Sequence, residues 1–136
     1  MIKGLVDSVR EWQHGNVPPP TVPKFPHKLT RELRSRLLAE EFQEYTTAEY
    51  ENDIVGLADA LGDMMYVIVG TALLYGIPLD AVVKEICASN DTKKVDGEFI
   101  YREDGKIMKP ESYVPPNLNR VLFYQTGKNY IESQQN

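Results

Sequence analysis

The chain has 136 residues, 20 Asp and Glu against 15 Lys and Arg, and a formal net charge of -5; that length suits one domain, and the acidic balance argues against a nucleic-acid partner, whose phosphates require a basic surface. Cys87 is the only cysteine, which excludes an intrachain disulfide and a thiolate zinc site and fits a reducing compartment. No unbroken run of about 18 apolar residues occurs, and Lys3, Asp7, Arg10 and Glu11 interrupt the stretch a signal peptide would need, so the expectation is a soluble cytoplasmic protein with no membrane partner.

In chain order, Leu5, Val6, Val9 and Trp12 form an apolar-periodic opening, followed by a proline-punctuated segment from Val17 to Pro26 that can hold no long helix. Thr30 is a suitable N-cap, and the spacing predicts a helix from there to about Tyr45, ended by Thr46 and Thr47. A second and longest helix begins between Glu49 and Asp53 and runs to Gly76, where glycine followed by Pro78 is a common stop. Pro78 opens a third helix carrying Val82, Val83 and Ile86, which ends near Ser89 or Asn90. Residues 98–108 alternate around Asp104-Gly105 and read as a short hairpin. Asn117 can cap a last short helix through Leu118, Val121 and Leu122, ahead of a polar tail from Gln125. The expected architecture is all-α: a helical bundle with extended proline-containing segments and a short C-terminal hairpin. It forms a single domain over 1–136, with a core at about 28–95, the hairpin and short helix at 97–124, and the tail at 125–136.

The placement of acids points to function. On a wheel of about 100° per residue, Leu33, Leu37, Leu38, Phe42 and Tyr45 occupy one broad half of the first long helix. Glu41 falls near the middle of that apolar arc, Glu44 on the same side, and Glu40 at its edge. A solvent-facing glutamate would stand opposite the leucines, so these inward acids need a metal, an arginine or a lysine. The second helix is apolar nearly all round and should lie inside the bundle, which makes Asp59 and Asp63, one turn apart on one face, expensive unless a divalent cation neutralises them. Oxygen-only donors favour Mg²⁺, with Mn²⁺ as a substitute. Ion pairs with Arg34, Arg36 or Lys84 are the alternative explanation.

Glu41-x-x-Glu44 followed by Asp59-Ala-Leu-Gly-Asp63 resembles the all-α, MazG-like nucleoside triphosphate pyrophosphohydrolases. The likeness continues through Tyr66-Val-Ile-Val-Gly-Thr-Ala, Gly76-Ile-Pro, Ser89-Asn-Asp-Thr-Lys93 and Tyr101-Arg-Glu-Asp-Gly-Lys-Ile-Met-Lys-Pro, most like the phosphoribosyl-ATP pyrophosphohydrolase branch of bacteria and phages. The resemblance implies a homodimer or homotetramer in a bacterial or phage-infected cell, with metal held by acids from two antiparallel helices. Glu41, Glu44 and Asp63 map onto those ligands. The family often writes its second motif as Glu-x-x-Asp; Ala60 stands at that glutamate position, leaving Asp59, Glu40 or water as the fourth ligand.

The reaction so implied cleaves a nucleoside triphosphate between the α- and β-phosphates, giving monophosphate and pyrophosphate, with Glu40 or a ligand glutamate taking the proton. Asn90 and Lys93 resemble the family's Asn-x-x-Lys element for sugar or phosphate; as a plain helix-terminal cation Lys93 would have no such role. Tyr66, beside the aspartate face, can stack on a base, although an interior tyrosine is more often packing. Arg102, Lys106 and Lys109 surround the Asp104-Gly105 turn and can close over phosphates, although a charged turn is more often solvated. His14 and His27 have no Cys or His at ligand spacing. The competing reading, motivated by Ala60, is a non-catalytic nucleotide-binding or oligomeric helical module.

Overall fold

A computed structural model describes residues 2–124, and among them the protein is all-α: α1 (Ile2–His14), α2 (Lys28–Glu51), α3 (Ile54–Tyr75), α4 (Leu79–Asp91) and α5 (Leu118–Phe123). The chain groups into two compact units, Met1–Leu79 and Asp80–Asn136.

The first unit is a three-helix bundle in which α3 packs against both α1 and α2. α2 starts three residues earlier than expected, at Lys28, because His27 rather than Thr30 serves as the cap, its ring accepting the Leu29 N–H at 3.2 Å. It also runs past Thr46 and Thr47 to Glu51. The Thr46 hydroxyl donates to the Gln43 carbonyl at 2.9 Å, a bond within the helix that satisfies this side chain without breaking the ladder. The helix stops at Asn52, which adopts the left-handed conformation (φ 55°) and donates its N–H to the Ala48 and Glu49 carbonyls. Asp53 then caps α3, its carboxylate accepting the Gly56 N–H at 3.0 Å. Two residues thus reverse the chain and set α2 and α3 side by side. Small side chains line their contact: a methyl placed on Gly56 would come to within 3.5 Å of the Ala48 methyl, and Ala48 and Ala60 are both buried.

At its other end α3 stops as expected at Gly76 (φ 69°), whose N–H bonds to the Ala72 and Leu73 carbonyls. The segment after α1 is tied to this end: the Lys24 N–H donates to the Tyr75 carbonyl at 2.9 Å, and Phe25 meets the Tyr75 ring edge-on at 5.7 Å. A methyl on Gly76 would lie 2.8 Å from the Val22 carbonyl oxygen, so both backbone conformation and close approach require glycine there. The core is Val9 of α1 against Val69 and Leu73 of α3, flanked by Leu5, Val6 and Leu79. Gln13 donates to the Gly70 carbonyl at 3.0 Å, and Arg34 of α2 donates to the Val67 carbonyl at 2.9 Å and to the Thr71 hydroxyl at 3.0 Å. A Cβ on Gly70 would collide with both long side chains, so the bulk this glycine omits makes way for neighbouring helices.

The expected burial of α3 is also corrected. α3 is not buried on all sides: its buried residues are Ala60, Val69, Gly70, Ala72 and Leu73, whereas Ile54, Val55, Leu61 and Met65 are exposed. The contacts with α1 fall on its C-terminal half, and α2 covers one face of the rest. By length and composition, with a mean hydropathy of 1.5, α3 would suffice to cross a membrane, a property shared by core helices of soluble bundles.

In the second unit, buried Ser89 of α4 donates to the Val114 carbonyl at 2.6 Å, while the Thr92 hydroxyl accepts the Val114 N–H at 2.8 Å. Glu85 accepts the Asn117 N–H at 2.9 Å and pairs with Arg120 at 2.5 Å, and Asn117 caps α5 as expected. Where a hairpin is expected, the chain forms isolated antiparallel bridges, Val95 with Glu98 and Tyr101 with Ile107, rather than strands. The tail from Gln125 lies outside the described residues.

Candidate metal centre

Because α2 and α3 lie antiparallel across a two-residue turn, acids one helical turn apart on α2 meet acids on the facing side of α3. Glu41 and Glu44 of α2 and Asp63 of α3 each offer a carboxylate oxygen, and all three oxygens lie within 4.8 Å of one another. Like charges this close repel. Among the described residues no ion pair involves Glu41, Glu44, Asp59 or Asp63; Arg34 is spent on Val67 and Thr71, so the arginine explanation of these acids fails.

Glu41 carries the largest burden. Its side chain is partly buried, and Oε2 is out of contact with solvent and without a hydrogen-bond partner. Burial raises its pKa above the usual carboxylate range, reinforced by the charges of Glu44, Asp63 and Asp59. A desolvated oxygen without a donor, on a residue grouped with two other carboxylates, has the chemistry of a cation ligand. The donor set is all oxygen, which suits a hard divalent ion. By this test the residues fit one.

Glu44, Asp63, Asp59 and Glu40 are exposed, so the picture of aspartates buried inside the bundle does not hold; the cluster sits at the open N-terminal half of α3. Asp59 and Glu40 are outside the three-carboxylate group. Asp59 instead lines a neighbouring cavity of about 240 Å³ with Glu44, Gln43, Thr47, Glu51, Asp53 and Gly56. The sequence reading missed Glu51 because it ended α2 at Thr46; carried on at helical spacing, Glu44 and Glu51 stand two turns apart on one face. Ala60 is 1% exposed, and its buried position beside α2 leaves an acid there no access to solvent.

The other anticipated residues divide between the units. Tyr66 follows Asp63 by three residues on α3 and meets Trp12 of α1 edge-on. Asn90, Lys93, Arg102 and Lys106 belong to the second unit. Asn90 is exposed, and its backbone carbonyl accepts the Lys93 N–H at 3.1 Å. The Lys93 ammonium lies 5.6 Å from the centre of the Tyr113 ring, with Lys109 at 5.2 Å from the same centre. Arg102 is held by Asp104 through two hydrogen bonds, at 2.9 and 2.5 Å. Arg102, Lys106 and Lys109 line a cavity of about 240 Å³ with Ile107 and Met108.

Residues 16–90 match the family model described as phosphoribosyl-ATP pyrophosphohydrolase. The match spans the proline segment, α2, α3 and most of α4, and so includes every acid of the cluster. No curated protein matches the chain.

Proposed function

The chain belongs to the phosphoribosyl-ATP pyrophosphohydrolase family, hydrolases of nucleotide phosphoanhydrides, and from that premise we propose that it is a Mg²⁺-dependent nucleoside triphosphate pyrophosphohydrolase releasing monophosphate and pyrophosphate. The convergence of Glu41, Glu44 and Asp63 on one point, with an unpartnered oxygen on Glu41, carries the reading. These three would hold the ion, with Asp59 beside them. When bound, it supplies neutralising charge for the triphosphate and activation of the attacking water.

The chain's own groups divide the remaining work. Glu40, exposed on α2 next to Glu41, or a glutamate of the cluster itself takes the proton from water. Within the second unit, Asn90 and Lys93 are the residues proposed for sugar or phosphate, and Arg102 and Lys106 those proposed for added positive charge. The molecule works as a homodimer or homotetramer in the cytoplasm. Leu33, Leu38, Phe42, Leu61 and Met65, all exposed on α2 and α3, are the surface that a second copy would cover.

Incubation with Mg²⁺ and a panel of nucleoside triphosphates, phosphoribosyl-ATP included, should release pyrophosphate, and Glu44→Gln should abolish it. Equal turnover in that variant refutes the assignment. A second reading, a nucleotide-binding module without turnover, draws on Ala60 where the family often has an acid. It predicts a nucleotide-dependent rise in melting temperature with no pyrophosphate.

A further inference from the structure

In the proposed function the carboxylate cluster serves the phosphates and leaves the base of the nucleotide unassigned, while α1 presents an exposed aromatic side chain against Tyr66, one turn beyond Asp63. Trp12 is 75% exposed and meets Tyr66 edge-to-face, with ring centroids 5.7 Å apart and planes at 75°. Tyr66, itself 39% exposed, sits three residues beyond the metal ligand Asp63, so their Cβ atoms are roughly 5–6 Å apart on one side of α3. The indole is not on a loose end. One turn before it Val9 is fully buried against Val69 and Leu73, and next to it Gln13 bonds the Gly70 carbonyl across the cleft that Gly70 leaves open. Thus α1 is pinned on both sides of Trp12 while the ring itself is left facing solvent.

Resting on the pyrophosphohydrolase reading, we propose that Trp12 and Tyr66 form the base subsite: the nucleobase stacks on the indole face, Tyr66 fixes the edge of that platform, and the phosphates extend along α3 to Glu41, Glu44 and Asp63. Stacking recognises the π-face that every base has, so the subsite binds nucleosides as a class and selects weakly among bases. Trp12 lies ahead of the segment 16–90 that matches the family, so this contribution of α1 belongs to the chain's own N-terminal helix.

Trp12 is the only tryptophan, so the intrinsic emission of the full chain above the tyrosine band reports this site alone. With Mg²⁺ present, an α,β-imido nucleoside triphosphate should change that emission, and inorganic tripolyphosphate, which has the phosphates without a base, should not. Trp12→Ala and Tyr66→Leu should each raise KM for nucleoside triphosphates about tenfold, the scale of one lost stacking contact, with a much smaller change in kcat. An equal emission response to tripolyphosphate overturns the proposal. So does an unchanged KM in Trp12→Ala, or nucleotide binding seen by calorimetry with silent emission; in these cases hydrolysis continues and the enzymatic reading stands. An emission spectrum that is blue-shifted without nucleotide and reddens on dilution would assign Trp12 to contact with a second copy and would also overturn it. Absence of both nucleotide binding and hydrolysis in the parent removes the two readings together.

Discussion

Glu41→Gln tests the site through two opposite signs. The change keeps side-chain shape and removes one charge from a group of three whose oxygens lie within 4.8 Å. Two unit charges at about 4 Å in a water-like medium repel by about 1 kcal/mol, and salt and exposure reduce this to about half. With Glu44 and Asp63 both relieved, the metal-free protein should gain about 1 kcal/mol, or about 3–6 °C in melting temperature for a chain of this size. The unpartnered Oε2 is replaced in the same step by an amide, one orientation of which turns a donor toward the remaining carboxylates. Magnesium should then do less: the parent's stabilisation by Mg²⁺ should require at least about tenfold more ion in the variant. Thermal unfolding by circular dichroism in EDTA and across a Mg²⁺ titration measures both signs. A variant that is less stable than the parent in EDTA and responds to Mg²⁺ at the same concentrations refutes the reasoning, for it would mean that the three carboxylates neither repel nor share an ion.

Titration gives a related outcome. Glu41 has a folded-state pKa raised by burial and by its neighbours, so the folded chain retains a proton that the unfolded chain has lost; its contribution to stability is most favourable below the ordinary glutamate pKa and falls as pH rises through the raised value. The melting temperature in EDTA of the parent minus that of Glu41→Gln should therefore fall with rising pH over that window, whereas a difference flat in pH contradicts the shift; taking the difference cancels Asp7 and Asp104, whose pKa values are lowered by Lys3 and Arg102. Gly76→Ala places a methyl 2.8 Å from the Val22 carbonyl oxygen at φ 69°, and urea unfolding should show a loss of roughly 2–4 kcal/mol. Ser89→Ala removes the donor to the Val114 carbonyl and should cost about 1–2 kcal/mol by the same measurement, with Ser89→Cys only partly restoring it.

The parts of the fold that could be read in advance were those with local chemical causes. Gly76 ahead of Pro78 announced the end of α3, and Asn117 the start of α5, because a left-handed cap and an Asx cap each depend on a single residue. Helical spacing put Glu41 with Glu44 and Asp63 with Asp59, and only the family resemblance singled out Glu41, Glu44 and Asp63, the three whose oxygens meet. Reading Thr46 and Thr47 as a stop gave too much weight to modest helix propensities that an intrahelical hydroxyl bond offsets; the Asn52-Asp53 pair, a left-handed cap followed by an N-cap, was the stronger signal. The composition of α3 suggested burial all round, yet apolar content cannot say where on the helix a neighbour ends. Val69 is fully buried and Val55 is exposed, a contrast set by the reach of α1. Trp12 went unnoticed as part of a site because its partner, Tyr66, is 54 residues away in sequence and only packing brings the rings together.

The turn of Asn52 and Asp53 works as a caliper whose jaws are counted in residues. With so short a link, Glu44 is eight positions from Asn52 and Asp63 ten from Asp53, and no slack exists to absorb a change in either count. Inserting or deleting one residue between the turn and an acid would swing that carboxylate by about 100° and move it about 1.5 Å along its axis, out of reach of its companions. Length variation in this stretch of chain is therefore coupled to the meeting of the three carboxylates, whereas in the connection after α1 the constraint is of another kind, set by Val22, Lys24 and Phe25 lying against the end of α3.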